Sequence, residues 1–218
     1  MKILALDFSS SQRSVAVLNA GNALACEVAD SSPGRDVKPF ALIEAALRQA
    51  GLEREAVECI AVGLGPGSYA GIRVAISLAQ GWQLATGVKL LGISSAESIA
   101  AQAAVDGTSG KFSVVIDAQR GEFYLASYEV QQGIAREVSP LRLASLAEAE
   151  ERERSGDLLV GPEVTRWFPK GRTIFPQAAM LARLAQSRRD FLPGEKLEPI
   201  YLRETTFVKA PPARVLPV

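Results

Sequence analysis

Between Gly63 and Gly87 the chain carries a helix that has almost no side suited to water. Cys59–Leu64 reads as a strand buried on both faces. Gly65-Pro66-Gly67-Ser68 is a sharp turn, and Tyr69–Thr86 is helical, stopped at Gly87, with Arg73 its sole charged residue. A helix apolar nearly all round must cover two surfaces or leave grease exposed. One surface can be the protein's own sheet; the mixture on the other side resembles a protein interface. Sorted at about 100° per residue, Val74, Leu78, Gly81, Trp82 and Ala85 share one side and suit the sheet. Ile72, Arg73, Ile76, Ser77, Gln80, Gln83 and Leu84 share the other, where uncharged polar residues mix with apolar ones. The preceding helix opens at Pro39 and ends before Gly51. It turns Phe40, Leu42, Ile43, Ala46 and Leu47 inward and Ala41 and Ala45 outward, flanked by Glu44 and Arg48. Small outward residues let another helix come close. The competing assignment is that the second half of the chain or its C-terminal tail covers these faces.

Composition narrows the chemistry. There is no histidine in the 218 residues, which removes Ser-His-Asp triads, histidine acid-base pairs and His-ligated metal sites. Lysine plus arginine and aspartate plus glutamate number 24 each, so no general attraction to nucleic acid or anionic lipid is expected. Two cysteines, Cys26 and Cys59, are too few for a disulfide framework. The start Met1-Lys2-Ile3-Leu4-Ala5-Leu6-Asp7 is too short an apolar run for a secretory signal, and no segment reaches the length of a membrane span. A cytoplasmic setting, away from membranes, fits these features.

The remaining pattern predicts an α/β fold. Lys2–Phe8, Ser14–Leu18 and Ala23–Ala29 read as a meander joined at Ser9–Arg13 and at Asn19-Ala20-Gly21-Asn22. After the loop Ser31–Arg35 follow helix, strand, helix, then strand Val88–Ile93 and a helix capped by Ser94-Ser95 to about Ala104. The order β-β-β-α-β-α-β-α is that of a ribonuclease-H-like lobe. Past a linker at Asp106–Gly110 the pattern restarts: strands Lys111–Asp117, Glu122–Val130 and Ile134–Val138, a helix from the box Ser145-Leu-Ala-Glu148 to about Arg154, short strands Leu158–Val160 and Arg172–Phe175, and a helix Gln177–Arg189. Two such lobes, 1–105 and a smaller, degenerate 106–218, make up the actin/hexokinase/Hsp70 (ASKHA) superfamily.

In kinases and ATPases of that superfamily an acid ends the first strand and a glycine-containing turn follows. Asp7-Phe8-Ser9-Ser10-Ser11 supplies the acid without the glycine, and Asp117-Ala-Gln-Arg-Gly121 lacks a small residue directly after its acid. Asp7, Ser9, Ser10 and Asp117 therefore read as turn residues, or at most a vestigial nucleotide and magnesium site. Gly65–Ser68 precedes a helix and could hold an anion, yet no lysine follows it as in a Walker loop. A capping Ser68, with glycines for close strand–helix contact, is the plainer account.

The chain resembles the TsaB (YeaZ) family on Ile3-Leu-Ala-Leu-Asp-Phe-Ser-Ser10, Ala61-Val-Gly-Leu-Gly-Pro-Gly-Ser-Tyr-Ala-Gly-Ile-Arg73 with Ala79-Gln-Gly81, Val115-Ile-Asp-Ala-Gln-Arg-Gly-Glu-Phe-Tyr124 and Tyr201-Leu-Arg203. At Arg35-Asp36 it departs from relatives that carry an arginine followed shortly by a histidine. The resemblance implies a non-catalytic scaffold for placing threonylcarbamoyl on the adenosine beside the tRNA anticodon, with no cofactor or metal of its own. It implies pairing with the transferase TsaD through the first-lobe helices, joined by the ATPase TsaE, a homodimer when alone, and only indirect contact with tRNA. The catalytic paralogue's His-x-x-x-His metal motif has no counterpart in a chain without histidine. The expected partner-binding set is Ala41, Ala45, Arg48, Ile72, Ile76, Gln80, Gln83 and Leu84. The alternative is an active phosphotransferase or ATPase using Asp7 and Asp117 with magnesium.

Overall fold

The structure is a computed structural model that describes residues 1–19, 24–30 and 38–203. The expected turn at 19–22 lies partly outside the described residues. The loop at 31–35, the Arg35-Asp36 departure and Pro211-Pro212 lie wholly outside them. Two five-stranded mixed sheets share one topology. The first, in spatial order, is β3 (Leu24–Asp30), β2 (Arg13–Leu18), β1 (Ile3–Asp7), β4 (Cys59–Gly63) and β5 (Lys89–Ile93). The second is β8 (Ile134–Ser145), β7 (Glu122–Gln131), β6 (Gly110–Asp117), β9 (Leu158–Gly161) and β10 (Arg172–Thr173). In each, three strands form an antiparallel meander whose first member pairs in parallel with the fourth, as Leu4 does with Ile60 and Val114 with Val160. Repeated order with a repeated antiparallel-to-parallel switch gives the two ribonuclease-H-like lobes of the ASKHA fold.

Helix packing crosses the linker between the sheets. Helices α1 (Pro39–Gln49) and α2 (Tyr69–Thr86) cover one face of the first sheet, where Ile43, Leu47, Ile72 and Ile76 meet Leu4, Leu6, Val15 and Val62. Its other face is covered by α5 (Ala178–Gln186), from the far end of the chain, through Ala178, Leu181, Ala182 and Ala185. Reciprocally, α3 (Ser95–Val105) lays Ala96, Ile99, Ala100 and Ala103 on Phe112, Val114 and Tyr128 of the second sheet. The alanine-rich faces permit this close stacking. Backbone donors at the start of α5 are satisfied by the same exchange: Ala178 N donates to Ser14 Oγ (2.8 Å) and Gln177 N to Ser98 Oγ (3.4 Å). Arg188 and Glu97 pair at 2.5 Å. Helix α4 (Leu146–Arg154) stays with the second lobe, as α1 and α2 stay with the first, and Ser145 Oγ caps Glu148 N.

Several boundaries differ from the sequence reading, among them β10, which ends at Thr173 rather than at Phe175. Strand β8 continues past Val138 to Ser145, because an edge strand tolerates Pro140 where the ladder with β7 is already irregular. Helix α5 stops at Gln186, short of the expected Arg189. Among the described residues no helix is long and apolar enough to cross a membrane. Leu181, fully buried against the first sheet, is a probe of the exchange: Leu181→Ala should cost about 2–5 kcal/mol. Denaturant unfolding should show both lobes melting in one transition, and two resolved transitions would contradict the shared core.

Candidate functional site

The seating of α2 begins at its first turn. A Cβ on Gly71 would lie 1.9 Å from Phe8 O, and one on Gly67 2.1 Å from Ser9 O. Ser68 N donates to Ser9 O (2.6 Å), and Ser68 Oγ accepts from Gly71 N (3.4 Å). These contacts press the helix start onto the end of β1 and use amides an anion would need. They also fix how α2 is rotated: the face following Gly71, with Ile72, Ala75, Ile76 and Ala79, goes to the sheet.

That rotation corrects the expected partner-binding set. Ile72 and Ile76 are core residues, 1% and 5% exposed. Gln80 Nε2 donates to Gly194 O (2.8 Å), and Gln83 Oε1 accepts from Gly194 N (2.6 Å), so both glutamines hold the chain's own segment around 194–197. Leu197 of that segment is buried with them. Val74, Gly81 and Ala85, expected against the sheet, are exposed instead, and Phe40 of α1 is 68% exposed. Gly81 meets nothing within 4 Å of a hypothetical Cβ. The misreading has a physical cause: with apolar residues all round, angle alone gives little contrast, and Gly71's approach to Phe8 decides the side. Ala41, Arg48 and Leu84, the last 90% exposed, do face outward, and Ala45 is half-buried.

Between α1 and α2 this rotation leaves an apolar groove of about 420 Å³, lined by Phe40, Ile43, Ser77, Leu78, Trp82 and Ala85 among others. Glu44 and Arg54 pair across its rim. A shallower hollow continues from it past Phe40 and Ser77 to Val74 and Arg73. Phe40 and Trp82 were legible as large apolar residues, but not as the walls of one groove.

A second concavity, about 530 Å³, lies between the lobes and is lined by Ser9, Ser10, Arg13, Ser68, Asp117, Gln119 and Tyr201 among others. Asp7 stands behind it, fully buried. Its Oδ1 accepts from Ser9 N (2.9 Å) and Ser9 Oγ (2.6 Å), and its Oδ2 from Ser95 Oγ (3.0 Å). Gly63 sits so close that a Cβ there would be 2.1 Å from Oδ2. Burial pushes the Asp7 carboxyl above its ordinary 3.8, against the lowering effect of the serine hydrogen bonds. Across the cleft, half-buried Asp117 accepts from Gln119 N (2.7 Å) and Gln119 Nε2 (3.3 Å). A fully buried carboxyl whose oxygens already accept from Ser9 and Ser95, with Gly63 pressed against it, does not fit a hydrated magnesium ion. Among the described residues no cluster of three metal-ligating side chains occurs.

Compared with protein-family models, residues 39–192 match the family described as TsaD, tRNA N6-adenosine threonylcarbamoyltransferase. The chain belongs to this family. Along its whole length it is similar to TsaB (YeaZ) proteins. The tRNA threonylcarbamoyladenosine biosynthesis protein TsaB of Escherichia coli is 26% identical over 98% of this chain and 100% of the relative. That of Haemophilus influenzae is 28% identical over 97% and 98%. YeaZ from Pseudomonas aeruginosa, a solved structure, superposes with a TM-score of 0.77 at 25% identity, covering 92% of this chain and 99% of its own.

Three substitutions test this geometry. Gly81→Ala should stabilise by about 1 kcal/mol, the ordinary helix gain. Gly71→Ala, in the same helix, should instead destabilise by about 1–3 kcal/mol through the clash with Phe8 O; thermal melts of the two variants give the signs. Because the native pKa of Asp7 is raised, its contribution to stability is present at low pH and lost as pH climbs through that value. Asp7→Asn, neutral throughout, should therefore gain Tm relative to wild type as pH rises above 3.8; a Tm difference independent of pH would refute the buried-carboxyl account.

Proposed function

We propose that this chain is a non-catalytic subunit in the biosynthesis of threonylcarbamoyladenosine beside the tRNA anticodon, and that it activates a TsaD-type transferase by seating it on the α1–α2 face. The carrying observation is the groove between those helices, whose wall residue Phe40 is 68% exposed on a flank with few charges. Exposed aromatic and aliphatic residues around a concave, charge-poor centre are what a partner helix needs for desolvated packing. The likeness to TsaB proteins along the whole chain supports the pathway. The absence of histidine and the enclosure of Asp7 support a subunit that leaves the chemistry to its partner.

In this reading residues 1–105 present the docking helices and 106–218 form the second lobe. The contact set becomes Ala41, Ala45, Arg48 and Leu84 together with Phe40, Val74, Ser77 and Ala85. A TsaE-type ATPase joins the complex in the cytoplasm, and the same face pairs two copies when the transferase is absent. Balanced charge leaves tRNA capture to the partners.

Co-purification with the transferase tests the face. Ser77→Arg, exposed in the groove, should leave the fold intact and lower affinity by at least about tenfold, or 1.4 kcal/mol. Ile76→Arg, one residue away but in the core, should cost about 4 kcal/mol or more and unfold the chain. Full-strength binding by folded Ser77→Arg would refute the assignment.

A further inference from the structure

Residues 199–203 run from one lobe to the other over the interlobe cleft. On the first lobe Ile200 N donates to Leu64 O (2.9 Å). The Tyr201 ring lies 5.6 Å from that of Tyr69, the first residue of α2. One turn further on, Arg73 Nη1 donates to Tyr69 Oη (2.7 Å) with its guanidinium 5.2 Å from the ring centre. Two residues after Tyr201 the chain is on the second lobe. There Arg203 Nη2 donates to Ala118 O (3.0 Å), Gln119 O (3.3 Å) and Glu122 Oε2 (2.5 Å).

The turn that Arg203 grips needs outside support. Gln119, Arg120 and Gly121 all take left-handed backbone angles, with φ of 66°, 62° and 75°. Successive non-glycine residues persist there only when surrounding contacts over-determine them. Asp117 holds the turn from within by accepting from Gln119 N, and Arg203 holds it from the strap that arrives over the cleft. Both the strap and the turn line the cleft, through Ile200, Tyr201, Ala118 and Gln119. Tyr201 and Leu202 are 50% and 36% exposed, so covering a hydrophobic core does not account for the segment's course. Its polar contacts do.

We propose that Pro199–Arg203 is a clasp that fixes the opening between the lobes and ties the second lobe to the first turn of α2. Arg73 joins the two regions: it contacts Tyr69 beneath the clasp and also lines the shallow end of the α1–α2 groove. A transferase seated on that groove thus meets one fixed lobe arrangement. This last step rests on the docking reading above; the clasp does not.

The test uses the full chain and the substitution Arg203→Ala. Amide hydrogen exchange at residues 119–122 should rise by at least about tenfold, as local opening loses its restraint. Exchange at the first turn of α2 should rise with it, and transferase affinity should fall by on the order of 5-fold or more. Unchanged exchange at 119–122 overturns the clasp. Faster exchange there with unaltered affinity overturns its link to the partner. Full-strength binding by Ser77→Arg sinks the docking reading instead, and the exchange data still decide the clasp. Should Arg203→Ala fail to fold, Glu122→Gln weakens the same contact from the acceptor side, with the same readouts and the same deciding outcomes.

Discussion

The approach of Gly71 to the carbonyl of Phe8 governs much of this molecule. A helix that meets a strand end at this distance cannot roll, so one glycine settles which of several equally apolar flanks of α2 faces the sheet. Ser68 and Gly67 reinforce it by closing on Ser9. The serine turn after β1 is thereby committed to holding a helix and a buried carboxyl, the two tasks that elsewhere in the superfamily would go to phosphate and metal. The exposed flank of α2 and the enclosure of Asp7 both trace to this tight join of β1, its serine turn and α2.

The second organising fact is the reciprocal placement of α3 and α5. Sheet topology repeats faithfully between the halves, yet neither repeat supplies its own last layer. The small side chains that make this possible, Ala96, Ala100 and Ala103 on one helix and Ala178, Ala182 and Ala185 on the other, let two helices sit between two sheets. Rigidity at the middle of the molecule follows, while the cleft side depends on polar ties.

Element order was readable because turn residues and periodicity agree: Pro39, Ser68, Gly87, Ser94 and Ser145 mark helix ends where the structure has them. The turn role of Asp7, which accepts from Ser9 N, and the capping role of Ser68 were also legible, whereas the full burial of Asp7 was not. The rotation of α2 was not. Ile72 and Ile76 are interchangeable with Val74 and Leu78 on any hydrophobicity count, and only a tertiary contact distinguishes them. Gln80 and Gln83 gave no signal of their partners, because Gly194 lies more than a hundred residues away in sequence. Arg203 was visible only as part of a tail pattern, since two of its acceptors are carbonyls and the third, Glu122, lies some eighty residues earlier in the chain.

The crossing of α5 also bears on how the chain is made. All five strands of the first sheet are complete by Ile93, but the helix that shields Ile3, Ala5 and Leu91 does not begin until Ala178. During synthesis that apolar surface stays bare while about two-fifths of the protein is translated. The first sheet can therefore take its finished packing only once α5 has left the ribosome.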